Sequence, residues 1–327
     1  MNDRVLTKLT LFLGLCVVIL GAFVRLSDAG LGCPDWPGCY GHLTIPLTAE
    51  QVAAANAAYP ERQVEAPKAW KEMIHRYLAG VLGLCVLLIA IRAWRAESGL
   101  GNHRGLATGL LALVAVQVLL GRWTVTELVK PAIVTAHLLG GMATVSLLWA
   151  LVLKQSRNAV LPADPRFRPW ALIGLAVLTA QIALGGWTST NYAALACTDF
   201  PTCQGVWAPP MDLAEGFVVW RGLGVDYEFG VLDHPARVAI HYVHRVGALV
   251  TLIVLAALAF SAMRSRFSSL QSTGIWMAAL LLLQVALGIG NVVLSLPLWT
   301  AVAHNGVAAL LLLSVVSVTV LAFRRTL

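Results

Sequence analysis

Four histidines in this sequence recur in a fixed pattern. His75 and His244 each precede an arginine, in EMIHR (Glu72 to Arg76) and HYVHR (His241 to Arg245). His137 and His304 each follow an alanine and lie 20 residues after a glutamine, Gln117 or Gln284. A neutral imidazole offers a metal one nitrogen lone pair. Two imidazoles facing each other across a four-helix bundle can hold haem iron from both sides. Zinc would draw three or four ligands into one cluster. Copper usually recruits Cys or Met, and no methionine is repeated near these histidines. Gly80, Gly140, Gly141, Gly247 and Gly306 follow the histidines, and small residues let a macrocycle or a second helix come close. Arg76 and Arg245 stand where haem propionates would need cations. The plainer role for each arginine is to snorkel to the membrane surface.

The two copies differ three residues before the first histidine, where one has Glu72 and the other His241. Residues three apart share a helix face, so Glu72 is expected on the side of His75. A carboxylate beside a porphyrin pocket suits proton transfer or the positioning of a polar group. The blander reading is a residue at the water boundary, next to Lys71. His42, His103 and His234 have no counterparts and read as loop residues.

Cys33 and Cys39 share one segment, and Cys197 and Cys203 share another at the same spacing. Such pairs on an oxidising face read as two disulfides. The alternatives are free thiols or a metal site, whose usual spacing is shorter. Cys16 and Cys85 fall within apolar stretches and read as small packing residues.

These groups must be positioned by membrane helices. Of 327 residues, 58% are hydrophobic and only 12% charged, well below the roughly 25% charged share of soluble domains. Eight apolar stretches are long enough to span a bilayer: Thr7–Leu26, Trp70–Ile91, Arg104–Val125, Pro131–Leu153, Pro169–Thr188, Arg237–Phe260, Gly274–Leu294 and Leu298–Phe323. They are continuous rather than alternating, which favours helices over a barrel. The net charge of +7 comes from scattered Lys and Arg rather than a basic run, which argues against nucleic-acid binding. Of the 23 basic residues, 13 lie in short segments on one side: Arg4, Lys8, Arg92, Arg95, Arg104, Lys154, Arg157, Arg166, Arg168, Arg264, Arg266, Arg324 and Arg325. That side is expected to be cytoplasmic, with both termini. The long segments 27–69 and 189–236 then lie outside. At 1.5 Å per residue, the four histidines fall roughly 8–11 Å below the outer rim.

The chain reads as a tandem repeat. Leu20 to Cys39 aligns without gaps to Leu184 to Cys203, with eight of 20 positions identical. The His-Arg pairs, then QVLLG and QVALG, then Ala136-His137 and Ala303-His304 follow in the same order. The expectation is two four-helix bundles of parallel topology, residues 1–157 and 158–327. A transporter shares such architecture, but no Gly/Pro cluster breaks a helix at mid-membrane, and the ionisable residues do not sit at mid-depth. Ala22-Phe23-Val24-Arg25 makes a poor cleavage site, so the first stretch is expected to stay as a helix. The short basic start lacks a transit peptide, pointing to a bacterial inner membrane, with the histidines near its periplasmic face.

Taken together, GAFVRLSDAGLGCPDWPGC, EMIHR, HYVHR, His137 and His304 resemble the haem A synthase family, over nearly the whole chain. The resemblance implies an enzyme that oxidises a methyl group of haem O to the formyl group of haem A for terminal oxidases. It implies that His244 and His304 ligate a resident b-type haem, with Arg245 beside it. It further implies that the substrate haem sits near His75 and His137, with Arg76 beside it and Glu72 as the catalytically important carboxylate. Cys33–Cys39 and Cys197–Cys203 would be the outside pairs. A haem O-making enzyme and an electron donor, a quinone or a ferredoxin, would be partners. A homo-oligomer and a complex with the haem O-making enzyme both stay open. The competing reading from the residues is a dihaem electron carrier, which would leave Glu72 idle.

Overall fold

The computed structural model describes residues 2–155, 164–222 and 224–323. The expected boundary after residue 157, and Arg157, Arg324 and Arg325, lie outside them. Eight long helices each carry a stretch apolar enough to cross a membrane: α1 Asp3–Leu26, α3 Ala66–Arg95, α4 Arg104–Thr126, α5 Pro131–Lys154, α6 Phe167–Thr190, α8 His234–Met263, α9 Ser268–Val293 and α10 Leu298–Phe323. Two short helices, α2 Ala49–Ala58 and α7 Leu213–Gly216, lie in the long connections. The described residues form no β-strand, only two isolated bridges.

Local chemistry sets these ends. Prolines open α3, α5 and α8 in the first turn, where a missing N–H costs nothing. Thr48 and Gln51 make a reciprocal capping box at the start of α2. Helices α1, α4, α6 and α9 end alike, each with a six-to-one bond: Ala29 N–H to Val24, Val129 to Thr124, Ala193 to Thr188 and Leu296 to Asn291. Helices α3 and α8 begin before the apolar stretches do, at Ala66 and His234 rather than Trp70 and Arg237. Their extra turns support the outer loops. A Cβ at Gly32 would stand 2.7 Å from the carbonyl carbon of Lys68, so the first loop rests directly on the α3 backbone. His234 therefore opens a helix rather than lying in a loop, and its Nε2 faces Gln204 Nε2 at 2.8 Å.

Helix α1 packs on α3, α3 on α4, α4 on α5 and α5 back on α1. In the same way α6 packs on α8, α8 on α9, α9 on α10 and α10 back on α6. Each ring encloses one large apolar cluster, built around Leu82, Val86, Leu110 and Leu148 in the first and Leu178, Leu255, Met277 and Val315 in the second. The rings meet where α5 and α10 touch each other, with α5 also on α6 and α1 on α10. Burial follows this order: the apolar window of α10 is 61% buried, that of α4 only 11%. Helix α10 is thus the central post and α4 a lipid-facing stave.

Contacts at the outer end tie the rings together. Arg25 donates to Ser189 O at 2.7 Å and to Tyr192 Oη at 3.1 Å, and Tyr192 donates to Asp28 Oδ1 at 3.0 Å. In the repeat, Arg25 corresponds to Ser189 and Asp28 to Tyr192, so each residue touches its own counterpart. Further out, Arg62 of the first loop grips Asp226 at 2.5 Å and also Glu228 of the second. Tyr227, between them, is buried against Leu31, Val125 and Val129.

Candidate functional site

The four repeated histidines lie on α3, α5, α8 and α10, and each imidazole rests against a glycine of the preceding long helix. A Cβ at Gly21 on α1 would stand 3.0 Å from His75 Cε1, and one at Gly121 on α4 would stand 3.4 Å from His137 Cε1. In the second ring, a Cβ at Gly185 on α6 would stand 3.3 Å from His244 Cε1, and one at Gly288 on α9 would stand 3.1 Å from His304 Cε1. These glycines are themselves repeat pairs, inside the blocks beginning Leu20 and Leu184 and inside QVLLG and QVALG. The glycines after the histidines do other things. Gly80 has open space beside it, Gly141 and Gly306 face Val18 and Ile19, and Gly140 and Gly247 make room for Gln117 and Gln181.

The histidines occur in pairs: His75 on α3 and His137 on α5 stand on diagonal helices of the first ring, as His244 on α8 and His304 on α10 do in the second. Among the described residues, no three His, Cys, Asp or Glu side chains gather as a metal-binding group. Nδ1 of His75, His137 and His304 is buried with no hydrogen-bond partner, as is Nε2 of Gln117. An unsatisfied buried polar group costs about 1–3 kcal/mol, so several together mark a place that a ligand completes. Paired imidazoles, each on a glycine seat and polar atoms awaiting partners fit a planar metal-bearing ligand clasped between two histidines.

Above each pair sits a roof built twice to one plan. Cys33 and Cys39 form one disulfide and Cys197 and Cys203 the other. Each roof closes with a two-residue turn of left-handed residues, Tyr40 and Gly41 or Gln204 and Gly205, bridging Cys39 to His42 and Cys203 to Val206. An aspartate holds each turn from within. Asp35 accepts from Tyr40 N–H at 2.6 Å and Gly41 N–H at 2.8 Å. Asp199 accepts from Gln204 N–H at 2.6 Å and Gly205 N–H at 3.0 Å. The Thr202 hydroxyl and these amides hold the Asp199 carboxyl down at about 2. A depressed carboxylate contributes above its unfolded value of about 4 and loses that contribution as pH falls through its folded value. The carboxyl resonance of Asp199 should therefore titrate near pH 2, with the turn intact at pH 5; a midpoint near 4 would show a carboxylate free of these bonds. Burial pushes the Tyr40 phenol up to about 12, and it stays a donor to Gln63 O at 3.1 Å.

Glu72 and His241 hold these roofs down. Glu72 is 5% exposed. Its Oε2 accepts from Cys33 N–H at 2.9 Å, and its Oε1 pairs with Arg76 Nη2 at 2.6 Å. His241 stands in the same two places with less capacity: Nδ1 lies 3.3 Å from Cys197 N and Nε2 lies 3.1 Å from Arg245 Nε, and a neutral imidazole accepts from only one of them. Both arginines also donate to loop carbonyls, Arg76 to Asp35 O at 2.9 Å and Arg245 to Thr202 O at 2.7 Å and Cys197 O at 2.9 Å. The sequence pattern placed these four residues beside the histidines but carried no sign that they clasp the cysteine loops, because a contact across 40 residues leaves no periodicity. Cys16 and Cys85 are free and half-buried, less enclosed than expected.

One residue beyond the sequence reading joins the second site. Gln181 on α6 places Nε2 3.1 Å from His244 Nδ1 and 3.0 Å from His244 O. Gln284 reaches His304 Nε2 at 3.2 Å, whereas its counterpart Gln117 lies against Gly140 instead. The QVxLG repeat was the signal for the latter pair; Gln181 has no counterpart and gave none.

Residues 4–316 match the COX15-CtaA family, described as cytochrome oxidase assembly proteins. A protein from Shewanella oneidensis named heme A synthase is 45% identical over 316 residues, covering 96% of this chain and 94% of its own. Proteins of the same name from Halalkalibacterium halodurans and Methylobacterium radiotolerans are 28% and 29% identical, covering 91% and 89% of this chain and 90% and 82% of theirs. With eight membrane-length helices and a family match running through all of them, the chain belongs to the COX15-CtaA family of cytochrome oxidase assembly proteins.

Proposed function

We propose that this protein is a haem A synthase, a membrane oxidoreductase that converts a methyl group of haem O to the formyl group of haem A. The observation that carries the reading is the doubled site, two imidazole pairs on glycine seats, in a chain 45% identical to a protein of that name. In this reading the chain is two tandem four-helix bundles in a bacterial inner membrane, termini cytoplasmic, with both sites toward the periplasmic face. Residues 1–157 receive haem O between His75 and His137. Residues 158–327 keep a b-type haem between His244 and His304. The reaction calls for a haem O-making enzyme upstream and an electron carrier at the membrane.

The residues divide the work. When bound, a b-type haem would supply one-electron transfer. His244 and His304 are the residues that would hold it, and Gly185 and Gly288 give their rings room. Turning a methyl into an aldehyde takes four electrons from the carbon and adds one oxygen atom, so an oxidant (dioxygen or the electron carrier) and an oxygen source (dioxygen or water) take part, with protons exchanged at each step. Glu72, buried beneath the first roof and one helical turn from His75, is the group that exchanges those protons. Arg76 steadies its carboxylate and, like Arg245 in the second half, lends positive charge beside the haem edge. The roofs keep bulk water from both sites.

The test is haem extraction and mass analysis from cells making this protein together with a source of haem O. Haem A should accumulate, and His137→Ala should abolish it while the bound b-type haem remains. Bound b-type haem with unconverted haem O, in folded protein with a working electron supply, would sink the enzyme reading in favour of an electron carrier.

A further inference from the structure

The first histidines of the two pairs are not braced alike, whereas His137 and His304 both have a buried Nδ1 without a partner. His244 has Gln181 at its Nδ1. His75, its counterpart, has a buried Nδ1 with no partner. The repeat puts Val17 where Gln181 stands, and Leu78 where Gly247 stands. Both differences concern one volume of space. A Cβ at Gly247 would fall 2.3 Å from Gln181 Oε1 and 3.0 Å from Leu184 Cδ1, so the glutamine fits only because residue 247 is glycine. The first half replaces both members of this pair, acid amide by valine and glycine by leucine.

We propose that Gln181 is a positioning residue that locks His244 for permanent haem ligation, and that the Val17/Leu78 pair leaves His75 unlocked so that the first half can release its haem. This rests on the reading of His244 as an axial ligand. A histidine that binds iron through Nε2 carries its proton on Nδ1, and an acceptor there fixes both tautomer and ring angle. The Gln181 amide has one end at Nδ1 and its Oε1 buried without a partner. A half-turn about its last bond, which exchanges the Nε2 bond to His244 O for one to the ring, brings that oxygen onto the Nδ1 proton. In the first half no side chain can do this from position 17. A resident cofactor needs slow dissociation, whereas a substrate that must leave as product does not.

The experiment uses the full-length protein and measures loss of b-type haem to excess apomyoglobin, with the redox midpoint and the low-spin haem spectrum. Gln181→Val with Gly247→Leu copies the first half and refills the volume. Loss of an outer-sphere partner typically costs about 10–100-fold in metal affinity, and haem loss should accelerate on that scale. Gln181→Glu keeps an acceptor and should retain the haem, with a lower midpoint from the more basic imidazole. Val17→Gln with Leu78→Gly should make the first half hold its haem through purification. Unchanged haem loss in the double variant, or an unchanged midpoint in Gln181→Glu should the double variant misfold, would overturn the proposal. His244→Ala separates the layers: if it keeps its b-type haem with the same spectrum, the axial assignment itself has failed.

Discussion

Glu72→His should stop haem A formation while leaving the b-type haem in place. The protein itself shows that histidine can stand at this position. His241 faces the Cys197 N–H and the Arg245 Nε in the second half and accepts from one of them, where Glu72 accepts from both the Cys33 N–H and Arg76 in the first. The substitution therefore keeps a side chain of the second half's kind under the roof while removing the carboxylate. A positioned proton acceptor contributes about 10²–10⁴-fold to a rate, so the yield of haem A should fall at least about a hundredfold. Glu72→Ala would be less informative, because it also strands a buried guanidinium and frees the loop. Normal haem A production by Glu72→His, assayed by extraction against total protein, would reduce Glu72 to a roof anchor.

Gly185→Leu should yield folded protein depleted of b-type haem. The Cβ alone would stand 3.3 Å from His244 Cε1, and the bulk of a leucine side chain beyond it would crowd that ring. Overpacking of this kind costs about 1–3 kcal/mol, enough for a depletion of about tenfold. Gly21→Leu, against His75, should keep the b-type haem and lose haem A. Gly80→Leu is the control, since nothing lies within 4 Å of a Cβ there. Full haem content in Gly185→Leu, read from the pyridine haemochrome spectrum, would mean that the ring does not depend on that seat.

All eight membrane helices and the pairing of the cysteines were legible in the sequence, because apolar runs and exact repeats survive without any tertiary context. So was the placement of the four histidines on four of those helices, since an ionisable group recurring inside apolar helices is conspicuous. The glycine seats lie inside the quoted repeats, but which glycine meets an imidazole is set by the packing of the neighbouring helix, which spacing along the chain does not carry. The first turns of α3 and α8 fall outside the apolar stretches for a physical reason: Pro67, Lys68, His234 and Pro235 give them no apolar run, and they support the long loops instead. The clasp of Arg76 and Arg245 on loop carbonyls could not be read at all, as any exposed arginine next to such a helix would look the same.

The seam of Arg25, Asp28, Ser189 and Tyr192 decides which halves can marry. Each residue there meets its own counterpart. Two first halves set about the same axis would press Arg25 on Arg25 and Asp28 on Asp28, like charge on like. Two second halves would meet serine to serine and tyrosine to tyrosine, with no charge to bind them. Only the unlike pair is complementary, cation to carbonyl and phenol to carboxylate. Self-matching surfaces make symmetric dimers, and a repulsive element forbids the wrong one. Here four side chains make a seam at which each half fits the other better than it would fit a copy of itself.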